Sequence, residues 1–173
     1  MLNRINFRRF SNKVKSYTNA YDIYKKSCYN KVDFIINEDK PIQEALHRFS
    51  VLNIGSLAVV DKNNSLYGVL SKRDYINKVA IYNKPNENIK VKDICTNGEH
   101  IILAKKDESI ENCMQKMLFK NIHHLLIVDE KDKNFIGMIS MKDIIEEIMK
   151  DKKETIRRLT DFNLGKGAFF GSE

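Results

Sequence analysis

Gly68-Val69-Leu70-Ser71-Lys72-Arg73-Asp74 and Gly137-Met138-Ile139-Ser140-Met141-Lys142-Asp143 follow one pattern, set 69 positions apart (68 to 137). An internal repeat constrains a fold more than any single motif does. Each copy must form the same unit and find cover for its own apolar face. Apolar residues running into Ser-x-x-Asp describe a short buried strand that ends where a helix begins. Taken alone, each copy is a capping box, in which Ser accepts the third helical N–H and the acid reaches back. The same corner is also an anion site, because free N–H groups and the positive end of the helix dipole face whatever lies beyond the strand.

The repetition extends well beyond these signatures. Ile42, Ala45, Leu46 and Phe49 fall on one face of a helix predicted over Pro41 to Leu52, and Ile110, Cys113, Met114 and Met117 take the matching places over Ser109 to Lys120. Apolar strands over Ile54 to Asp61 and Ile122 to Asp129 come next, each closed by an acid. Upstream, Tyr21-Asp22-Ile23-Tyr24 answers Lys92-Asp93-Ile94-Cys95, and a short strand follows each, Val32 to Ile36 and His100 to Ala104. The chain therefore divides into a basic segment (1–20), a first repeat (21–83), a polar Pro-containing linker (84–90), a second repeat (91–150) and a helical extension with a tail (151–173). The expected fold class is α/β in the α+β sense: two β-α-β-β-α repeats packed as a pseudo-two-fold pair. One unit of roughly 60 residues buries too little surface to stand comfortably alone.

The formal charge of +7 has a location. Residues 1–31 carry eight Lys or Arg against the single Asp22, and residues 32–173 carry 22 of each sign. The body is neutral, with its charges interspersed as on a solvated surface, so no nucleic-acid stripe is expected. Ahead of Asp22, Arg4, Arg8, Arg9, Lys13 and Lys15 stand among hydroxyl residues without an acid, the composition of a mitochondrial presequence. Arg8-Arg9-Phe10-Ser11 is similar to a matrix cleavage site. The expected location is the mitochondrial matrix; the alternative is a cytoplasmic protein with a basic tail. No apolar run is long enough to span a bilayer, so membrane insertion is not expected. Cys28, Cys95 and Cys113 are odd in number and unpaired in spacing, which fits a reducing compartment.

Catalytic and metal motifs are missing from the sequence: there is no Walker loop, G-x-G-x-x-G, G-x-S-x-G or H-E-x-x-H. An enzyme is therefore not expected, nor a catalytic cofactor. His123 and His124 point to opposite faces of an extended segment and cannot clamp one metal. The inward ring is either a satisfied core histidine or, with its neighbour, a phosphate donor that weakens above a pKa of about 6.5.

With both signatures and their flanking strands in view, the chain resembles the tandem pair of CBS domains, named after cystathionine β-synthase, and in particular CBS pairs that carry no enzyme domain, including a mitochondrial plant group. The resemblance implies two clefts between the repeats and an adenosyl ligand. It assigns Ser71 and Asp74 to ribose and phosphate in one cleft, and Ser140 and Asp143 in the other. Ile54, Gly55 and Ser56 would line the clefts from the first repeat and Ile122, His123 and His124 from the second, with Arg73 and Lys142 reaching phosphates. Repeat 1 pairs its small residues with Lys72 and Arg73, whereas repeat 2 offers imidazoles and Lys142, so the clefts are expected to be unequal. Cationic corners favour AMP, ADP, ATP or NAD over the positively charged S-adenosylmethionine. The expected function is non-catalytic regulation: an adenine nucleotide binds, and affinity for a metabolic or redox partner changes. A homodimer is also implied, and the helix over Ser140 to Asp161, with Ile144, Ile148, Ile156 and Leu159, either carries an interface or covers its own sheet. The rival reading is an interaction module with empty clefts, indifferent to nucleotide.

Overall fold

The computed structural model describes residues 19–83, 85–129 and 135–163. The basic segment, up to residue 18, and the tail from residue 164 lie outside them. Asn19 and Ala20 already belong to the fold: the Asn19 side chain accepts the Asp22 N–H at 2.9 Å, and Ala20 is fully buried.

In chain order the elements are α1 (Ala20–Lys26), β1 (Ile35–Asn37), α2 (Ile42–Val51), β2 (Ser56–Val60), β3 (Leu66–Ser71), α3 (Lys72–Lys78), α4 (Val91–Ile94), β4 (Thr96–Asn97), β5 (Leu103–Lys105), α5 (Ile110–Phe119), β6 (His124–Val128), β7 (Phe135–Ser140) and α6 (Met141–Asn163). One sheet has the order β1-β2-β3-β4 and the other β5-β6-β7. The mixed α and β architecture and the two repeated units agree with the sequence reading. The likeness extends to register: Ile35 faces Ala58 in the first parallel pair and Leu103 faces Leu126 in the second. Both hairpins carry a bulge at matching points, between Val59 and Val60 and between Ile127 and Val128.

The helices stop for one shared reason. Asn53 (φ 50°) follows the end of α2, and Asn121 (φ 51°) follows the end of α5. Both lie in the left-handed region that closes a helix and that Asn tolerates better than most residues.

The repeats interlock. α1 precedes the first sheet in sequence, yet Ala20 and Ile23 are buried with Ala104, Ile110, Cys113 and Ile139 of the second unit. Conversely α4 precedes the second sheet, yet Val91 and Ile94 are buried with Ile42, Phe49 and Leu70 of the first, and β4 extends the first sheet. Paired bridges pin the exchange, Asn19 to Ser109 and Pro41 to Lys90. Strands β6 and β7 serve both cores: Leu125, Ile127 and Ile139 face their own helices, while Leu126 and Met138 reach the first cluster. This is the period of two that a strand buried on both faces requires. Each such Leu or Ile contributes about 1.5–3 kcal/mol on burial.

Burial pushes the thiol of Cys95 up to about 11 and that of Cys113 up to about 12. Both remain protonated core residues. Among the described residues no helix is long and apolar enough to cross a membrane.

Candidate functional site

Both Gly-to-Asp signatures form the corner that their sequence describes. Ser71 ends β3 and caps α3: its N–H and hydroxyl donate to one Asp74 carboxylate oxygen at 2.8 and 2.6 Å, and its Oγ lies 3.3 Å from the Asp74 N–H. Ser140 and Asp143 repeat the arrangement at 2.7, 2.6 and 3.2 Å. The first helical N–H is also engaged at each corner, Lys72 N–H with Gly55 O at 3.2 Å and Met141 N–H with His123 O at 2.8 Å. Both acids therefore serve as caps. At Asp74 the second oxygen faces Thr96 Oγ at 3.4 Å and Lys78 Nζ at 3.7 Å.

Beyond the first corner lies a cavity of about 390 Å³, bounded by Gly55, Ser56, Ser71, Lys72, Arg73 and Asp74 from the first unit and by Ile122, His123 and His124 from the second. The imidazoles thus join Ser71 rather than Ser140, which differs from a grouping by repeat. The cause is the pseudo-dyad, which brings the starts of β2 and β6 together: Ser56 Oγ and His124 Nδ1 are 2.9 Å apart. Gly55 admits the ring, since a Cβ there would sit 2.7 Å from His124 Cε1. Arg73 spans the cavity's edge and donates from Nη1 to Asn121 O at 2.6 Å. Val69, Thr96, His100, Ile101 and Ile102 complete the wall. Sequence reasoning missed Thr96, His100, Ile101 and Ile102 because it grouped the second repeat with Ser140, and it read Val69 only as part of the buried strand of the first signature.

His124 departs from the expectation of a cationic donor. Its ring stacks edge-on against Tyr29 at 5.6 Å between centroids. Burial lowers its pKa to about 4, with the His123 charge adding to the effect. It is a neutral wall residue at physiological pH, and the exposed His123 takes the outward role. Burial likewise raises Tyr29 to about 12; its hydroxyl oxygen accepts the Gly55 N–H at 3.3 Å. Ile54 is buried in the first core and does not border the cavity.

The second corner faces a different hollow, of about 330 Å³, bounded by Ile23, Lys26, Ser27, Asp143, Glu146, Glu147 and Lys150. α1 and the turn after it form one side of this hollow. Ser27 donates to Asp143, Lys26 pairs with Glu147 at 2.6 Å, and the Tyr24 ring lies against Gly137. Lys142 points to solvent with Glu146 at 3.6 Å.

The sequence pattern of the CBS domain matches residues 27–81 and 91–150. The chain belongs to the CBS domain family. It is 28% identical over 129 residues to the mitochondrial CBS domain-containing protein CBSX3 of Arabidopsis thaliana, a match that covers 73% of this chain and 62% of that protein. To the inosine-5'-monophosphate dehydrogenase of Methanocaldococcus jannaschii it is 30% identical over 123 residues, 68% of this chain and 23% of the enzyme. Among solved structures, a protein with CBS domains from Burkholderia ambifaria superposes with a TM-score of 0.69 at 23% identity, covering 78% of this chain and 96% of that one. The CBS domain pair of protein MJ0100, in complex with 5'-methylthioadenosine and S-adenosyl-L-methionine, superposes at 0.63 with 27% identity, covering 79% and 98%.

Proposed function

We propose that this CBS pair is a regulatory module that binds one adenine nucleotide per chain, in the cavity bounded by Ser71, Arg73 and His123, and so alters its affinity for a metabolic or redox partner. The observation that carries the reading is the unlikeness of the two hollows. The first joins an apolar wall (Val69, Ile101, Ile102, Ile122), suited to a purine, with two cations at one helix start, Lys72 and Arg73. Its volume of about 390 Å³ lies in the usual range for small-ligand sites. The second sets Asp143, Glu146 and Glu147 against Lys26 and Lys150, a balance that opposes phosphate. The ligands bound by the MJ0100 pair support an adenosyl core for the ligand here. The cations favour AMP, ADP, ATP or NAD, with Asp74 accepting from ribose hydroxyls through the oxygen that its cap leaves over. Occupancy alters partner affinity only as far as the ligand prefers one state of the pair.

The plant relative's mitochondrial name and the basic segment before residue 19 support a mitochondrial matrix location, and a homodimer is the proposed working form. A nucleotide-independent interaction module is the second reading, and it is favoured by one observation: both Ser-x-x-Asp pairs are engaged in capping their own helices, a structural role that needs no ligand.

Calorimetric titration and thermal shift with AMP, ADP, ATP, NAD and S-adenosylmethionine test the proposal. A ligand at a hundredfold its dissociation constant adds about 2.7 kcal/mol, on the order of 5–10 °C at this chain length. One equivalent per chain is expected, with affinity for the phosphorylated ligands lost in the combined Lys72→Ala, Arg73→Ala variant. No binding by any of the five selects the second reading.

A further inference from the structure

α6 runs from Met141 to Asn163, past the end of the family match at residue 150. Its first part is anchored, with Ile144 buried and Ile148 packed beside it. A second apolar line leaves the body. Ile145 is 50% exposed, Met149 62%, Ile156 64%, Leu159 59% and Phe162 77%. The steps between Ile145, Met149, Lys152, Ile156 and Leu159 alternate four and three, the a/d spacing of a two-helix seam. At 100° per residue this seam lies roughly 100° around the helix from Ile144, and so is clear of the chain's own core.

We infer that α6 pairs along this seam, antiparallel, with α6 of a second copy of the chain. Charge selects the occupant, its direction and its register. In a parallel pair Lys142 would face Lys142 and Lys152 would face Lys152 inside the seam. An antiparallel pair removes both conflicts, and three registers then compete. Sliding one way brings Glu146 against its own copy; sliding the other brings Lys153 against its own copy. The register between them sets Ile145 on Ile156, Met149 on the stem of Lys152 and Leu159 on the stem of Lys142. It also places Glu146 beside Lys153, twice by symmetry, on the outer edge where such pairs set partner choice. On the opposite edge Phe162 meets Met141, which gives the most exposed ring of α6 an apolar neighbour. The paired stretch is about 30 Å long. This surface is separate from the nucleotide cavity and does not depend on it.

Cysteine cross-linking of the full chain, in a Cys28→Ser background, tests direction and register together. An Ile145→Cys protein mixed with an Ile156→Cys protein should form a mixed disulfide dimer. Either protein alone should not, because its own cysteines stand about 16 Å apart along the pair. Sedimentation equilibrium supplies the second reading: Glu146→Lys should weaken self-association about tenfold, and adding Lys153→Glu should restore it. Self-linking by each single variant overturns the register. If the mixture does not cross-link, or the double charge reversal does not restore association, the stripe is covered by the chain's own C-terminal residues or by another protein, and the proposal fails.

Discussion

Ser27 donates its hydroxyl to the Asp143 carboxylate at 3.0 Å, from a turn that precedes the first sheet to a cap that follows the last strand. At the other corner the side-chain contact from beyond the signature is Thr96 Oγ to Asp74, longer at 3.4 Å, and it involves the oxygen that the cap does not use. One corner is thereby tied to the turn after α1, beside the smaller hollow lined by acids, and the other keeps a carboxylate oxygen towards the larger cavity. The exchange of α1 and α4 between units produces this inequality. α1 arrives with the flanking ion pair of Lys26 and Glu147, while α4 is followed by a short strand that leaves the space beside Asp74 open.

Ser27→Ala should lower stability by about 1.5–3 kcal/mol, because a hydrogen bond to a carboxylate in a half-buried site is lost. Ser27 also accepts the Tyr29 N–H at 3.2 Å, so the turn after α1 loosens too. Urea denaturation reads the loss directly. An unchanged midpoint would mean that α1 is not held by this contact.

Asp74→Ala removes the reciprocal half of the α3 capping box and should cost about 0.5–2 kcal/mol with no ligand present. Its melting temperature alone therefore says nothing about binding. The informative quantity is the ligand-induced shift, which should vanish in Asp74→Ala and persist in Asp143→Ala.

Acid should destabilise the protein through His124. Its folded pKa, about 4, lies below the unfolded value of 6.5. The unfolded chain then holds more protons across this interval, so the stabilisation is complete above pH 6.5 and declines as pH falls towards 4. The loss across that window is on the order of 2–3 kcal/mol. Urea denaturation at pH 7.5 and pH 5 should show it, and His124→Gln should flatten the dependence. An equal slope in that variant would assign the acid sensitivity elsewhere.

Periodicity placed α2 and α5 within a residue or two of their ends because their apolar faces are local patterns. The signatures at Ser71 and Ser140 were legible for the same reason, since a cap is written within four residues. What remained hidden is long-range. Nothing in Tyr21 to Tyr24 says that their helix packs on the second unit, because Ile23 would be apolar against either core. Grouping His123 and His124 with Ser140 failed at the same point. Alternation told that one ring is inward, but not that it meets Ser56 and Tyr29, in a place where burial suppresses its charge.

The paired glycines should respond unequally to one methyl group. At Gly68 an added Cβ would lie 2.5 Å from the Thr96 backbone oxygen, because β4 pairs with β3 at that point. Backbone held in a sheet cannot yield cheaply, so Gly68→Ala should cost about 3 kcal/mol, the upper part of the overpacking range. At Gly137 the obstacle is the Tyr24 ring, and among the described residues no strand lies on that edge of β7. A side chain can turn aside, so Gly137→Ala should cost about 1–2 kcal/mol. Its penalty should largely disappear in a Tyr24→Ala background, which gives a coupling of about 1 kcal/mol in the double-mutant cycle. For Gly68 no side-chain truncation should rescue the loss. Measured by denaturant unfolding, equal costs at both glycines would contradict the exchange of α1 and α4, because that exchange is what sets a ring against one glycine and a strand against the other.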